Sequence, residues 1–314
     1  MKVFLITEGS IGIGFGHITR CISLYDAFLE QGASVELIVN CDRYALSLIQ
    51  GRDCDIFNWN KDRKRIFDLV KGADIVIVDS YIADEAFYRQ VSKNVDMLIS
   101  IDDYNRLRIP RGYVVSPTIY ASKLNYPKDN RLTYLLGRDY IILRKEFWDI
   151  PNKEISPNCK NILVTLGGMD HSFLIKGISS FFERKIKCNV LTVNPLKNKL
   201  SCKEMLSIML KADVCISGGG QTLYELARVG APTIGICLAD NQKMNLEAFK
   251  KSGFIEYAGS GLEPDLINKI ERSFNKITAY SERKKRSAIG QNLVDGLGAR
   301  RIVNELINAN VKSR

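Results

Sequence analysis

The sequence predicts an α/β protein made of two Rossmann-type domains, each with a parallel sheet. Short apolar runs alternate with amphipathic segments of helical period, which is typical of βαβ units. A polar stretch with two prolines at 147–161 interrupts this alternation, which then starts again. A length of 314 residues also favours two domains. We predict domains over 1–150 and 151–314, with ligands bound beyond the carboxyl ends of the strands, in a cleft that both domains face.

The first half contains apolar runs of strand length separated by segments of helical period. Gly32 follows the first helical segment in the position of a C-cap glycine. The region 104–145 is less regular and offers only short strand candidates. The predicted strands are 2–7, 34–40, 74–79, 97–101, 113–115 and 140–143, and the predicted helices are 17–31, 43–50, 62–72 and 83–93.

The second half repeats the pattern without a close sequence repeat, and two helices close the chain. The predicted strands are 161–166, 188–193, 213–216, 232–237 and 254–257, and the predicted helices are 172–182, 202–211, 220–229, 241–252, 263–276, 280–290 and 298–309.

Composition indicates an ordinary water-soluble protein, with 46% hydrophobic and 25% charged residues. The longest apolar runs have strand length, so no membrane insertion is predicted. Glu8 and a glycine-rich loop follow the first apolar run too soon for a signal peptide. None of the eight cysteines forms a Cys-x-x-Cys pair. These features predict a cytoplasmic protein.

The net charge of +10 could attract an anionic partner. The basic residues are dispersed apart from short clusters at 61–65 and 283–286, and no aromatic residues are interleaved with these clusters. Proteins that bind single-stranded nucleic acid by base stacking combine a basic groove with aromatic side chains. The sequence therefore predicts no nucleic-acid partner, and a solvated lysine-rich surface explains the charge.

Three glycine-rich turns follow predicted strands: Gly9 to Gly16, Leu166 to His171, and Ser217 to Glu225. Glycine lets backbone N–H groups approach a ligand, and the positive end of the next helix favours phosphate. The first turn is neither a dinucleotide fingerprint nor a P-loop, because His17 stands where the third small residue belongs and no Gly-Lys-Ser/Thr follows. The three turns together predict a phosphate-bearing ligand.

The chain has two histidines, and each follows one of these turns. At the start of a helix, His17 is either a capping residue or a general base, for which the positive helix end favours the required neutral ring. His171 is equally consistent with capping. Glu225 lies one helical turn beyond the third set of glycines, where it could accept ribose hydroxyls or simply favour the helix dipole.

Several segments resemble the PseG/SpsG-type UDP-sugar hydrolases of the pseudaminic acid pathway, which are related in fold to MurG-like glycosyltransferases. The resemblance runs in order along nearly the whole chain. It rests on IGFGHITRC (13–21), VDSY (78–81), SIDDYNR (100–106), LLGRDYIILRKEF (135–147), LGGMD (166–170), ISGGGQTLYELARVGAPTIGICLADNQ (216–242) and NLVDGLGARRIV (292–303).

This resemblance implies a GT-B-like fold, with the sugar bound on the side of the first domain and the nucleotide in the second. It implies metal-independent hydrolysis of a UDP-linked 2,4-diacetamido-2,4,6-trideoxy sugar at the anomeric carbon, with inversion. His17 matches the catalytic histidine of the family. Tyr81, Asn241 and Gln242 match positions that line the sugar and phosphate pocket, and Glu225 matches the carboxylate that binds ribose.

The turns and the resemblance together give one catalytic candidate, His17, and no metal or cofactor. The partner is a UDP-sugar, and the sequence leaves the oligomeric state open. The substrate-binding candidates are Gly14, Gly16, Arg20, Tyr81, Gly167, Gly168, Gly219, Gly220, Gln221, Thr222, Glu225, Asn241 and Gln242.

The chain departs from the family pattern at ITEGS (6–10), where an Asp-Ser loop is usual, and at a shortened stretch over 184–203. The exact sugar therefore stays open. Other readings also remain: a glycosyltransferase with a glycan or lipid acceptor, and a non-catalytic nucleotide-sugar binder. A dehydrogenase is disfavoured because the third glycine is missing.

Two acidic motifs have a structural interpretation as well as a functional one. Asp53-Cys-Asp55 has the form of a metal-binding Asp-x-Asp motif. That motif belongs to a glycosyltransferase class with a different fold, and in this chain the three residues lie in a short polar stretch. Asp102-Asp103 follows a predicted strand, and one of the two could line the cleft; the alternative is that they cap a helix or a turn.

Overall fold

The structure is a computed structural model that describes residues 1–167, 171–194 and 200–313. The chain forms two compact units. The first contains Met1–Lys145 together with Leu297–Arg314, and the second contains Glu146–Gly296.

The first unit has a parallel sheet of seven strands within the described residues, in the order β3-β2-β1-β4-β5-β6-β7. Strands β4 and β5 are buried along their whole length. The strands are β1 Lys2–Gly9, β2 Ser34–Cys41, β3 Cys54–Ile56, β4 Ile75–Asp79, β5 Met97–Ile101, β6 Gly112–Ser116 and β7 Leu132–Leu136, and the first helices are α1 Gly16–Glu30, α2 Leu46–Ile49, α3 Arg63–Leu69 and α4 Glu85–Asn94.

The second unit has a five-stranded parallel sheet in its described part, in the order β12-β11-β10-β8-β9. The strands are β8 Asn161–Thr165, β9 Asn189–Val193, β10 Val214–Gly218, β11 Thr233–Cys237 and β12 Ile255–Ser260. The helices are α5 Ser172–Phe181, α6 Cys202–Lys211, α7 Gln221–Val229, α8 Lys243–Ser252, α9 Leu266–Ile277 and α10 Tyr280–Leu293, and α11 Gly298–Ser313 then returns to the first unit.

The last helix corrects the predicted domain limits, which kept residues 297–314 in the second domain. Helix α11 packs on α1 within the first unit. Its Arg300 Nε donates to Glu30 Oε2 at 2.9 Å. Gly298 lies so close to the backbone of Ile141 that an added Cβ would meet the carbonyl oxygen at 2.1 Å. Helical periodicity identified this helix, but periodicity contains no information about which sheet a helix covers.

Most predicted elements are present, and the main differences fall in the first half of the chain. The predicted strand 140–143 is wrong: a 3-10 turn, Arg138–Tyr140, leads into a segment that is buried without joining the sheet. Its apolar residues indicated burial, which is not unique to strands. Strands β3 and β7 were not predicted, and β3 has only three residues.

Each sheet packs its apolar side chains against helices, as the sequence predicted. In the first unit, Trp59, Phe87 and Tyr88 are among the largest buried side chains of such a core. In the second, Phe182 and Phe274 pack edge to face with ring centroids 5.1 Å apart. Across the described residues, no helix is both long and apolar enough to cross a membrane.

Candidate functional site

The glycine-rich segment after β1 forms a closed loop at the carboxyl end of the first sheet. Ser10 N–H donates to Gly14 O at 3.3 Å, and Gly14 N–H donates to Ser10 O at 2.7 Å. Gly14 has φ +89°, which favours glycine. The Gly14 N–H is therefore used inside the loop, and its predicted contact with substrate stays a prediction. Gly16 begins α1, and His17 follows it.

His17 lies in a buried network of charged side chains. Strands β1, β4 and β5 are neighbours in a parallel sheet, so the residues that follow them meet at one edge. His17 Nδ1 lies 2.6 Å from Oδ1 of Asp79, the last residue of β4. Arg20, one helical turn after His17, donates from Nε to Asp79 Oδ2 at 2.8 Å and from a terminal nitrogen to Oδ1 at 2.7 Å.

The same guanidinium binds a second carboxyl group. The other terminal nitrogen of Arg20 lies 2.8 Å from both carboxyl oxygens of Asp103. Burial alone would lower the pKa of Arg20, but Asp103 and Asp79 hold it well above its usual value. Arg20 therefore has a structural role in this network, and its contact with substrate stays a prediction. Its side chain is only 10% exposed and joins two carboxyl groups.

Asp79 fixes the tautomer of His17. Burial alone would raise the pKa of Asp79, but Arg20 and His17 hold it below its usual value, so the carboxylate is ionised and only accepts hydrogen bonds. His17 Nδ1 must then carry the hydrogen that it shares with Asp79. Arg20 also approaches Nδ1, at 3.0 Å, but its terminal nitrogen is a donor whose closer acceptor is Asp79. The Nε2 atom of His17 is left with the lone pair that a general base needs.

Tyr81 packs against His17 at this candidate site. The two rings meet edge to face with centroids 4.3 Å apart and planes at 85°. The Tyr81 hydroxyl donates to Asp103 Oδ2 at 3.3 Å, and its backbone N–H donates to Glu8 Oε1 at 2.7 Å. Burial raises the pKa of Tyr81, with Asp103 adding to the effect, so the hydroxyl keeps its proton.

Sequence reasoning missed Asp79 and Glu8 as members of this site, and it left open which of Asp102 and Asp103 belongs to it. Of the acidic pair, Asp103 binds Arg20, whereas Asp102 caps its turn by accepting from Tyr104 N–H at 3.0 Å. A usable signal was present, because both aspartates of the network come at or just after strands predicted to be buried. Which strands neighbour β1 was not readable from the sequence.

In the second unit, the turn between β10 and α7 requires glycine. A Cβ on Gly219 would lie 2.6 Å from Leu246 Cγ, because α8 packs directly on the turn. Gln242 Oε1 accepts from Gly219 N–H at 3.0 Å and from Leu238 N–H at 3.2 Å. The Gly219 N–H is therefore bonded within the protein, and the amide oxygen of Gln242 shapes the turn.

Two further side chains, which the sequence analysis did not select, hold the same turn. Asn245 Nδ2 donates to Gly219 O at 2.6 Å, and the Tyr224 hydroxyl donates to Asn245 Oδ1 at 2.6 Å. Both residues are buried. The backbone of Gly219 is thus fixed at its N–H and at its carbonyl by neutral side chains.

The remaining candidates of the second unit lie around this turn. Gly220 is the exposed N-cap residue of α7, Gln221 and Thr222 are half-buried in its first turn, and Glu225 is buried one turn further along. The first N–H groups of a helix have no acceptor within the helix. Asn241 is exposed beside Gln242. Gly167 has φ +94°. Gly168 lies outside the described residues, as does the rest of the second glycine turn up to residue 170.

The acidic motif at Asp53 and Asp55 has a structural role in the described residues. Asp55 forms an ion pair with Arg65, with N–O distances of 2.6 and 2.8 Å. The Asp53 N–H donates to the Tyr25 hydroxyl at 3.1 Å. No group of three or more His, Cys, Asp or Glu residues suited to a metal ion occurs in the part of the chain that the structure describes. His171 is the N-cap residue of α5.

Residues 171–297 match the Glycosyltransferase family 28 C-terminal domain. The chain is also similar to three curated proteins. An uncharacterized protein of Methanocaldococcus jannaschii is 24% identical over 267 residues, which are 74% of this chain and 55% of that protein. A Helicobacter pylori protein described as pseudaminic acid cytidylyltransferase and UDP-2,4-diacetamido-2,4,6-trideoxy-beta-L-altropyranose hydrolase is 23% identical over 82% of this chain and 48% of its own length. The chain thus spans about half the length of these two relatives.

The third relative, the spore coat polysaccharide biosynthesis protein SpsG of Bacillus subtilis, is 24% identical over 332 residues and 96% of both chains. Among solved structures, the glycotransferase of kitacinnamycin superposes with a TM-score of 0.69 at 13% identity, covering 98% of both chains. MurG of Acinetobacter baumannii gives 0.65 at 10% identity, covering 98% of this chain and 100% of that one. The chain therefore has the GT-B fold, and most of its second unit is similar to the family 28 C-terminal domain.

Proposed function

We propose that the protein hydrolyses a UDP-linked 2,4-diacetamido-2,4,6-trideoxy sugar in nonulosonic (pseudaminic) acid biosynthesis. Water attacks the anomeric carbon with inversion, and UDP and the free sugar are released. The observation that carries this proposal is the buried network that leaves Nε2 of His17 as a proton acceptor. The description of the Helicobacter pylori relative supports the reaction and the sugar, and the match of the second unit to a glycosyltransferase domain supports a nucleotide-sugar substrate.

In the proposed reaction, His17 Nε2 takes a proton from water while the water oxygen bonds to the anomeric carbon. The bond from that carbon to the diphosphate oxygen breaks, and its electron pair leaves with UDP. His17 then returns its proton to solvent. Asp79 holds the ring in the required tautomer and stabilises the imidazolium that forms. A diphosphate is a good leaving group, so one base suffices, unlike the two carboxylates of ordinary glycosidases.

The second unit is proposed to bind UDP. With the Gly219 N–H already bonded to Gln242, the diphosphate is assigned to Gly220 and the first backbone N–H groups of α7. Donors that are fixed before the reaction stabilise charge as it develops on the leaving group. Glu225 on the same helix is assigned to the ribose hydroxyls.

The decisive test offers a panel of UDP-sugars without an acceptor, in heavy-oxygen water. Hydrolysis at carbon releases UDP and labels the sugar only. Label in UDP would mean attack at phosphorus and would exclude the proposed geometry. UDP release that requires an added glycan or lipid would make the protein a glycosyltransferase, with His17 acting on the acceptor hydroxyl.

The reaction is proposed to need no metal ion. Activity measured after dialysis against EDTA should equal that of the untreated enzyme, because backbone N–H groups neutralise the diphosphate. A loss of activity that magnesium or manganese restores would refute this part of the proposal.

A further inference from the structure

Glu8 is a fully buried carboxyl group that the proposed reaction does not use. It lies near the end of β1, on the sheet edge that carries the His17 network. Its Oε1 accepts from Tyr81 N–H at 2.7 Å. Its Oε2 makes no contact of hydrogen-bond geometry within the described residues. Burying a carboxyl group costs free energy unless hydrogen bonds compensate it, so its place at this site calls for a compensating role.

The contact with Tyr81 supplies that role. Tyr81 is fixed at two points, its backbone N–H by Glu8 and its hydroxyl by Asp103. Between these points its ring packs edge to face on His17. The peptide of Tyr81 lies in the turn after β4, two residues beyond Asp79, so the Glu8 bond joins the ends of two neighbouring strands.

The bond requires an acceptor and not a negative charge. Burial raises the pKa of Glu8 above its usual value, against the opposing effects of Ser80, His17 and the Tyr81 N–H, and the Asp79 carboxylate raises it further. A neutral carboxyl or an amide oxygen can accept the Tyr81 hydrogen equally well.

We propose that Glu8 is a positioning residue whose hydrogen bond to the Tyr81 N–H sets the Tyr81 ring against His17 and thereby orients the imidazole. This deepens the proposed hydrolysis, and only the kinetic part of its test rests on that function.

Two variants separate the acceptor from the rest of the side chain. Glu8→Gln keeps an oxygen acceptor, whereas Glu8→Met keeps length and apolar bulk without one. Glu36→Met is the matched control, because Glu36 is a half-buried glutamate of β2 paired with Phe4 and not with the end of β1. If Glu8→Met does not fold, Glu8→Asp replaces it, since losing one methylene withdraws the carboxyl from the Tyr81 N–H.

The first readout is the proton NMR signal of the His17 ring, which is assigned easily because the chain has only two histidines. Tyr81→Leu gives the signal without the ring current of Tyr81. We expect Glu8→Gln and Glu36→Met to keep the wild-type signal and Glu8→Met to move towards the Tyr81→Leu position. An unchanged signal in folded Glu8→Met would overturn the inference, whatever reaction the protein catalyses.

The second readout is the turnover of the UDP-sugar. We expect Glu8→Met to lower kcat about 10-fold, the value of one hydrogen bond, with unchanged affinity for UDP, and Glu8→Gln to restore kcat. Glu8→Gln as impaired as Glu8→Met would overturn the acceptor role. If no UDP-sugar is hydrolysed by the wild type, the proposed function fails and the NMR result alone decides the role of Glu8.

Discussion

The two units build their candidate sites with different kinds of bonds. In the first unit, the Asp79 carboxylate binds the His17 imidazole, and the Arg20 guanidinium joins Asp79 to Asp103, with distances of 2.6 to 2.8 Å. In the second, neutral amide and hydroxyl groups fix a backbone turn, as in the bond from Asn245 to Gly219. A group that must accept a proton needs an ionised partner, whereas a turn that presents N–H donors needs only a fixed peptide orientation.

This difference predicts that mutations at the two sites have different effects, one on the chemical step and the other on nucleotide binding. Removing one member of a buried charged network breaks hydrogen bonds to charged groups, which are worth about 1.5–3 kcal/mol each. Removing a neutral hydrogen bond costs about 0.5–1.5 kcal/mol. Mutations in the first unit should therefore act on turnover and stability, and those in the second should act on nucleotide affinity.

The largest effect is expected for His17→Asn. It removes the proposed base while keeping a polar side chain, so kcat should fall about 10²- to 10⁴-fold while UDP affinity is unchanged. Steady-state kinetics and calorimetry with UDP measure the two quantities. The control is His171→Asn, which changes the other histidine and should keep normal turnover. Near-normal turnover in His17→Asn would remove the base from the mechanism.

The next effect is expected for Asp103→Ala, which leaves Arg20 with one carboxylate partner. The free energy of unfolding should fall by about 1.5–3 kcal/mol, the value of a hydrogen bond to a charged group, as measured by urea denaturation. Its neighbour Asp102 caps a turn with hydrogen bonds to backbone N–H groups, so Asp102→Ala should cost only about 1 kcal/mol. Equal losses in the two variants would contradict the role assigned to Asp103.

A smaller effect is expected for Glu225→Ala in the second unit. Loss of a hydrogen bond to a charged group should weaken UDP binding about 10- to 100-fold and leave kcat at saturating substrate nearly unchanged. Calorimetry decides this, with Glu247→Ala, an exposed glutamate of α8, as the control. Unchanged UDP affinity in Glu225→Ala would leave Glu225 with a structural role only.

The smallest effect is expected for Tyr224→Phe, which removes the hydroxyl that holds Asn245. UDP affinity should fall about 2- to 10-fold because the Gly219 peptide loses part of its support. Tyr88→Phe removes a comparable buried hydroxyl that accepts from Ser100 in the first unit, and it should lower stability without changing UDP affinity. The same affinity loss in both variants would show that the effect is not specific to the turn.

Much of the fold could be predicted because its signals are local. Apolar alternation identified most strands of both sheets, and Gly32 follows α1 at φ +72° as a C-cap glycine should. The three-residue strand β3 and the edge strand β7 were missed because their patterns are short. Residues 140–143 were predicted as a strand because a buried irregular segment and a buried strand show the same run of apolar residues.

The site was predicted in part for the same reason. His17 follows a glycine loop, and Glu225 follows a glycine turn by one helical turn; both relations are visible in a few consecutive residues. The bonds that give His17 its tautomer are not local: Asp79 is 62 positions away, and Asp103 is 83 positions from Arg20. No periodicity connects residues at such separations.

The sequence by itself determined the two parallel α/β units, the glycine turns at the strand ends and the histidine after the first of them. Only the tertiary structure decided that Arg20 joins two carboxyl groups, that Gln242 occupies the Gly219 N–H, and that the last helix returns to the first unit. The physical reason is that elements follow from local periodicity and turn chemistry, whereas the order of strands in a sheet determines which distant side chains meet at its edge.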